Sequence, residues 1–162
     1  MGGVRGIAAR LGVVMAALIM VMGVAVPSAN AANGRGVTGP VSGTAPFDFV
    51  GCSFVHQTFV GDITTSDGIA KLDVDTCVDL TSSGCTSKGT FSITEAAGKV
   101  KGAAAGSIDC LSTRKAVAFD FTLHVRKSTP GLANVGQDLH FRGKWHSDQV
   151  SGGPFNGKVS LT

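Results

Sequence analysis

Residues 116–126 read AVAFDFTLHVR and contain the clearest periodic pattern in the chain. Every second residue from Val117 to Val125 is apolar, whereas Asp120 and His124 lie among the residues between them. Successive side chains of a β-strand point to opposite faces of a sheet, so strict alternation is typical of a half-buried strand. The stretch therefore predicts a strand with one face in a dry interior and one face in water.

The same period of two recurs along most of the chain, at residues 70–79 and 139–146 among others. Turn-forming clusters such as Ser66-Asp67-Gly68 and Thr129-Pro130-Gly131 separate the alternating stretches. We predict eight strands, near residues 46–50, 53–60, 69–79, 87–95, 99–110, 115–126, 137–147 and 154–161. The fold class expected is all-β and antiparallel.

A short motif distinguishes between the two all-β architectures that fit this pattern. The sequence apolar-x-Gly occurs at residues 100–102, 141–143 and 155–157, which places glycine on the inward side. Inward glycine allows strands to bend and lets a facing side chain approach closely. A small closed barrel mixes large and small inward residues, so we favour the barrel over a two-sheet sandwich, which stays the alternative.

These glycine spacings also carry a resemblance to a known group. Roughly the last two-thirds of the chain after residue 31 resembles small secreted bacterial β-barrel proteins related to the allene oxide cyclase and dirigent barrels. The segments that carry the resemblance are Gly89-Thr90-Phe91, residues 98–102, residues 119–125, Phe141-Arg142-Gly143 and residues 155–158. The resemblance implies a calycin-like barrel of eight strands. It implies no activity and carries over no site residue, and the chain has no tyrosine.

The N-terminal region is typical of an exported protein. Residues 1–31 contain a basic head with Arg5 and Arg10, an apolar run at residues 11–26 and the small-residue exit Ala29-Asn30-Ala31. These are the three parts of a cleavable Sec signal peptide. The apolar run is shorter than the roughly twenty residues that a membrane span needs. We therefore predict a secreted protein that meets the membrane only through its signal peptide.

The remaining chain divides into two parts by composition. Residues 32–45 are rich in glycine, serine and threonine without a period, which predicts a flexible leader. Residues 46–162 then form a single domain.

Four cysteines in an exported domain predict two disulfides. Four cysteines allow three pairings, of which we favour Cys77–Cys85 with Cys52–Cys110. The first pair brackets the turn-rich residues 79–84, so it would staple one hairpin locally, whereas the second would close a long loop.

The charge after residue 31 is close to balanced but unevenly distributed. Residues 32–112 carry a net charge of −3 and residues 113–162 a net charge of +4. Two differently charged faces of a soluble protein account for this, and the functional alternative is a basic surface for an anionic partner. The only tryptophan, Trp145, alternates with Phe141 on the apolar side, so no aromatic platform for nucleic acid is expected.

Three groups of residues are candidates for a site. Inward aromatic side chains would line a cavity for a small apolar ligand, and these are Phe91, Phe119, Phe121, Phe141, Trp145 and Phe155. His124 and His140 share the polar side of two neighbouring strands and form a candidate zinc or copper site, although Arg142 and Lys144 beside them oppose a cation. Asp73 and Asp75 lie two apart on one strand face, where they would form a calcium-binding patch or an acid pair, and the alternative is a solvated polar face.

No nucleophile motif or other catalytic constellation is present, and no cofactor is implied. The sequence favours a non-catalytic binding module for a small apolar ligand or for a secreted protein partner, the latter reached through loops such as residues 128–136. The alternative is a secreted enzyme or a metal-binding protein that uses the histidines of the polar face.

Overall fold

The structure is a computed structural model that describes residues 35–82, 84–110, 116–146 and 152–162. The predicted signal peptide, residues 1–31, lies outside the described residues. No helix in the described ranges is long and apolar enough to cross a membrane. One 3₁₀ turn, Arg35–Val37, precedes strands β1 (Gly39–Thr44), β2 (Phe47–Asp48), β3 (Val55–Thr65), β4 (Gly68–Thr81), β5 (Gly84–Glu95), β6 (Gly98–Ile108), β7 (Val117–Ser128), β8 (Asp138–Trp145) and β9 (Pro154–Leu161).

The strands form a closed antiparallel barrel, which confirms the predicted architecture and excludes the sandwich. Strands β3 to β9 pair in chain order, and β1 closes the ring by pairing with both β9 and β3. Eight strands make up the ring, while the short strand β2 lies outside it and pairs with β3 alone. Closure leaves no open sheet edge on the ring.

The strand that closes the barrel lies in the stretch predicted to be a flexible leader, so the prediction for residues 32–45 is wrong where the structure describes them. β1 pairs Val41 with Ile63 and Gly43 with both Gly61 and Phe155. Val41 is buried, and a Cβ added at Gly43 would clash with the carbonyl oxygen of Val60. The glycine that looked like a sign of flexibility instead allows close contact at the β1–β3 seam.

Phenylalanine rings fill the middle of the barrel. Phe59 on β3 is fully buried and contacts the rings of Phe119, Phe121, Phe141 and Phe155, at centroid distances of 4.8, 5.5, 5.6 and 5.5 Å. Most of these pairs meet edge to face, the arrangement that the ring quadrupole favours. One ring from β3 thus reaches across the interior to β7, β8 and β9.

The inward glycines act as the apolar-x-Gly motif predicted. A Cβ at Gly102 would lie 2.7 Å from Cε1 of Phe91, its partner across the β5–β6 pair. At Gly143 it would lie 2.6 Å from Cζ of Phe119, its partner across the β7–β8 pair. In both pairs the missing side chain leaves the space that the neighbouring ring occupies.

The two ends of the barrel differ. The upper end carries the 3₁₀ turn and the β3–β4, β5–β6 and β7–β8 connections, and Val37 and Leu132 are buried there. The lower end carries β2, the β2–β3 connection and the β4–β5 turn. Both disulfides link residues at or near the lower end.

The disulfides number two, as expected, but the favoured pairing of Cys77–Cys85 with Cys52–Cys110 is wrong. The bonds are Cys52–Cys77 and Cys85–Cys110. β4 and β5 stay paired until Thr81 meets Gly84, so Cys77 lies opposite Lys88 rather than beside Cys85. Cys77 also points to the outer face, whereas Cys85 is buried among inward residues. A staple across this hairpin would have to pass through the sheet.

Candidate functional site

The predicted ligand-lining residues all point inward, and four of the six contact one another through their rings. Phe119, Phe121, Phe141 and Phe155 belong to the cluster around Phe59, and Phe91 lies against Gly102. Trp145 is buried near the lower end, with its ring 5.9 Å from that of Phe47. An apolar ligand in the middle of the barrel would have to displace a ring, so the interior is a poor place for a site.

The two candidate metal ligands, His124 and His140, lie on the outer face of adjacent strands, but each has other partners. Nδ1 of His124 lies 2.7 Å from Oδ1 of Asp138. Nδ1 of His140 lies 3.9 Å from Asp120 and 3.3 Å from the guanidinium of Arg142. Within the described ranges, no three His, Cys, Asp or Glu side chains are grouped so as to hold a metal ion. The metal site stays a prediction.

The most exposed apolar side chains near β2 form a group at the lower end. Phe49 is 70% exposed, Val50 76% and Phe54 43%, all in the β2–β3 connection. Leu80 is also exposed, near the end of β4, two residues past the Val55–Val78 pair. We call these four residues the apolar rim. Exposed apolar side chains scattered singly are common, so the presence of several at one end of the barrel makes that end a candidate interaction surface.

Three contacts hold the connection that carries the apolar rim. Cys52 is bonded to Cys77 on the barrel wall. The backbone N–H of Val50 donates to Oδ1 of Asp48 at 2.9 Å. The ring of Phe49 rests edge-on against Phe47, at a centroid distance of 6.1 Å, and Phe47 in turn contacts Trp145. The exposed side chains are thus presented in a fixed arrangement, which reduces the entropy lost on binding.

His56 ties β2 to the barrel wall from outside. Its Nε2 lies 2.8 Å from Oδ1 of Asp75 on β4, and its Nδ1 lies 3.3 Å from both carboxylate oxygens of Asp48 on β2. The sequence suggested an inward side chain because His56 shares the side of Phe54, but Phe54 itself is exposed and the inward residues of β3 are Gln57 and Phe59.

The pKa values of His56 and Asp48 both shift in the direction that favours an ion pair between them. The hydrogen bond to Asp75, and then that to Asp48, raises the pKa of His56 above its ordinary 6.5. The backbone N–H of Val50, and then the imidazole of His56, lowers the pKa of Asp48 below 3.8. The charged forms of both groups are therefore favoured in the folded protein.

The pH dependence of this tie follows from the two directions. The stabilisation from His56 is full below pH 6.5 and is lost as the pH rises through its higher folded pKa. The stabilisation from Asp48 is present above pH 3.8 and is lost as the pH falls through its lower folded pKa.

We expect an NMR titration of the His56 ring to give a midpoint above 6.5, and Asp75→Asn to lower it. Asp67→Asn, far from His56, is the control; a His56 midpoint at or below 6.5 in the unmodified protein would contradict this account.

Comparisons with protein-family models, with curated proteins and with solved structures returned no match for this chain. The geometry of the described residues is therefore what bears on function. That geometry includes two features that sequence reasoning missed, the apolar rim and the His56 tie. The sequence contains a signal for the second feature, because alternation along β3 places His56 on the side opposite to the inward residues Gln57 and Phe59.

Proposed function

We propose that this protein is an exported, non-catalytic binding module that docks a protein partner through its apolar rim. The observation that carries the proposal is the exposure of Phe49 and Val50 on a connection fixed by a disulfide and by the His56 tie. The surface of the partner would be an apolar cleft that receives the two side chains.

Physical chemistry supports this surface over the interior. Aromatic side chains that enter a partner's pocket contribute a large share of the affinity of protein complexes, and rigid presentation lowers the entropic cost. The rings of the Phe59 cluster occupy the middle of the barrel, so an apolar ligand bound there would have to displace one of them. The two disulfides are consistent with an extracellular place of action.

Selection of displayed random peptides on the immobilised protein tests the proposal. We expect enriched peptides to carry apolar anchor residues and their synthetic copies to bind in solution. The double variant Phe49→Ser/Val50→Ser should raise the dissociation constant by about tenfold or more, because two apolar side chains that the complex buries are lost.

The matched control removes equally exposed apolar side chains from the opposite end of the barrel. Ile69 and Val135 are 65% and 67% exposed near the upper end, so Ile69→Ser/Val135→Ser should leave peptide binding within about twofold. Peptides whose affinity responds equally to both double variants, or only to the control, would refute a docking surface at the apolar rim.

A further inference from the structure

A second candidate site lies on the outer wall of the barrel, away from the apolar rim. A depression of about 510 Å³ crosses β4 to β7. The hydroxyl-bearing side chains of Thr90 and Ser92 lie between its two sides. Asp73 and Asp75 line the β4 side. The opposite side consists of four basic residues, Lys99, Lys101, Arg126 and Lys127. We call this depression the cationic groove.

A β-bulge gives the cationic groove its charge. Gly102 pairs with Val125, but the next pair is Lys101 with Lys127, so Arg126 is an extra residue on β7. Arg126 and Lys127 are both exposed, although consecutive strand residues ordinarily point to opposite faces. A bulge re-aims side chains in this way, and here it presents two consecutive cations on the outer wall.

Among the residues that the structure describes, the four cations make no ion pair. The ion pairs that Lys and Arg make among the described residues are Lys71–Asp62 and Arg142–Asp120, and neither involves the groove. Lys101 instead lies directly across from Lys127, and like charges in that position destabilise a sheet. This arrangement costs the folded protein stability, and it is explained if the counter-charge comes from a ligand.

The acidic side of the groove does not supply that counter-charge. Asp75 is engaged by Nε2 of His56 at 2.8 Å. Asp73 pairs with Ser92, which in turn pairs with Lys101, so two strand spacings, about 10 Å, separate the backbones of Asp73 and Lys101. Asp73, Thr90 and Ser92 are left as hydrogen-bonding groups for a neutral polar part of a ligand.

We infer that the cationic groove binds an acidic oligosaccharide. Its anionic groups would lie against the basic side, and its hydroxyl groups would bond to Asp73, Thr90 and Ser92. The groove spans three strand spacings, about 14 Å, which suits an extended ligand with more than one charge. Phe91, the aromatic residue beside it, is buried and offers no stacking surface, so single-stranded nucleic acid lacks the platform it ordinarily uses.

Calorimetric titration with defined probes tests this inference independently of the apolar rim. The probes are a galacturonic acid hexamer for carboxylates, a heparin-derived hexasaccharide for sulfates, and maltohexaose as a neutral sugar. We expect at least one acidic probe to bind, with an affinity that falls as salt is added, and maltohexaose not to bind. The acidic probe that binds more tightly identifies the source of the charge.

Two pairs of substitutions locate the contacts. The double variant Lys101→Gln/Lys127→Gln should weaken binding of the acidic probe by about tenfold or more. The control Lys144→Gln/Lys158→Gln makes the same change in net charge on β8 and β9 and should change the affinity by less than about twofold. Thr90→Val/Ser92→Ala should weaken binding by about threefold or more through lost hydrogen bonds.

Three results would overturn the assignment. The first is that neither acidic probe binds. The second is equal loss in the two lysine double variants, which would mean diffuse charge attraction. The third is undiminished binding in Thr90→Val/Ser92→Ala, which would mean that the sugar hydroxyls are not recognised.

Discussion

Replacing Phe59 by alanine is expected to lower the free energy of unfolding by about 3–5 kcal/mol, the range for deleting a buried phenylalanine ring. The ring is fully buried and contacts four other phenylalanine rings, so its removal leaves a cavity that no single neighbour can fill. Small domains are stable by only about 5–15 kcal/mol, so the loss is a large fraction of the total. Urea unfolding followed by circular dichroism measures it.

Two further variants make this expectation falsifiable even if Phe59→Ala does not fold. Phe59→Leu keeps most of the apolar volume and should cost about 1–3 kcal/mol. Phe49→Ala removes a ring that is mostly exposed and should change the free energy of unfolding by about 0.5 kcal/mol or less. Similar losses at positions 59 and 49 would show that Phe59 is not at the centre of the core.

Removing either disulfide is expected to cost about 3.5 kcal/mol, because each bond joins residues 25 apart and so constrains the unfolded chain equally. The pair of double variants Cys52→Ala/Cys77→Ala and Cys85→Ala/Cys110→Ala is therefore matched in loop length. Cys85 is buried whereas Cys77 is not, so we expect the second variant to lose more stability. Urea midpoints of the two variants under identical conditions make the comparison.

A non-reduced tryptic digest distinguishes the observed pairing from the one that the sequence favoured. Residues 72–88 form one tryptic peptide that contains both Cys77 and Cys85. The structure predicts a single species in which this peptide is bonded to the peptide with Cys52 and to the peptide with Cys110. Recovery of peptide 72–88 alone, with an internal disulfide, would contradict the structure.

The period of two was enough to predict most of the barrel. The alternation in residues 116–126 places Val117, Phe119 and Phe121 inside and Asp120 outside, as the structure has them. Burial of one strand face is a strong physical constraint, because a shift by one residue would expose every apolar side chain of the strand. The fold class and the inward phenylalanines could therefore be read from the sequence.

The number of barrel strands was predicted correctly, but the position of one of these strands in the sequence was not. The sequence assigned a strand to residues 46–50, where the structure has the two-residue strand β2 outside the ring, and it assigned no strand to β1. β1 reads GPVSGT and has one buried apolar side chain, Val41. Its pairing depends on close backbone contact at Gly43, which composition does not reveal.

The alternation of side chains along the strands also contains the information needed to exclude the favoured disulfide pairing. The alternation in β4 already places Cys77 on the side of Asp73 and Asp75, and inward Phe91 places Cys85 inside by parity. Two cysteines on opposite faces of a sheet cannot form a bond across one hairpin. The strand faces on which the cysteines lie therefore predict the disulfide pairing better than their proximity in sequence does.

The charge of the cationic groove could not be predicted from the pattern. The sequence indicates a basic excess in residues 113–162, but a β-bulge is defined by which residues pair across two strands. Only the register shows that Arg126 and Lys127 both face outward beside Lys101.

We infer that phenylalanine rings fill the barrel interior, so that recognition takes place on the outer surface. A NOESY spectrum of the isotope-labelled protein tests this most directly. We expect cross-peaks from the Phe59 ring to the rings of Phe121, Phe141 and Phe155, whose centroids lie within 5.6 Å of it. A Phe59 ring without these cross-peaks, or with cross-peaks to a bound apolar molecule, would contradict it.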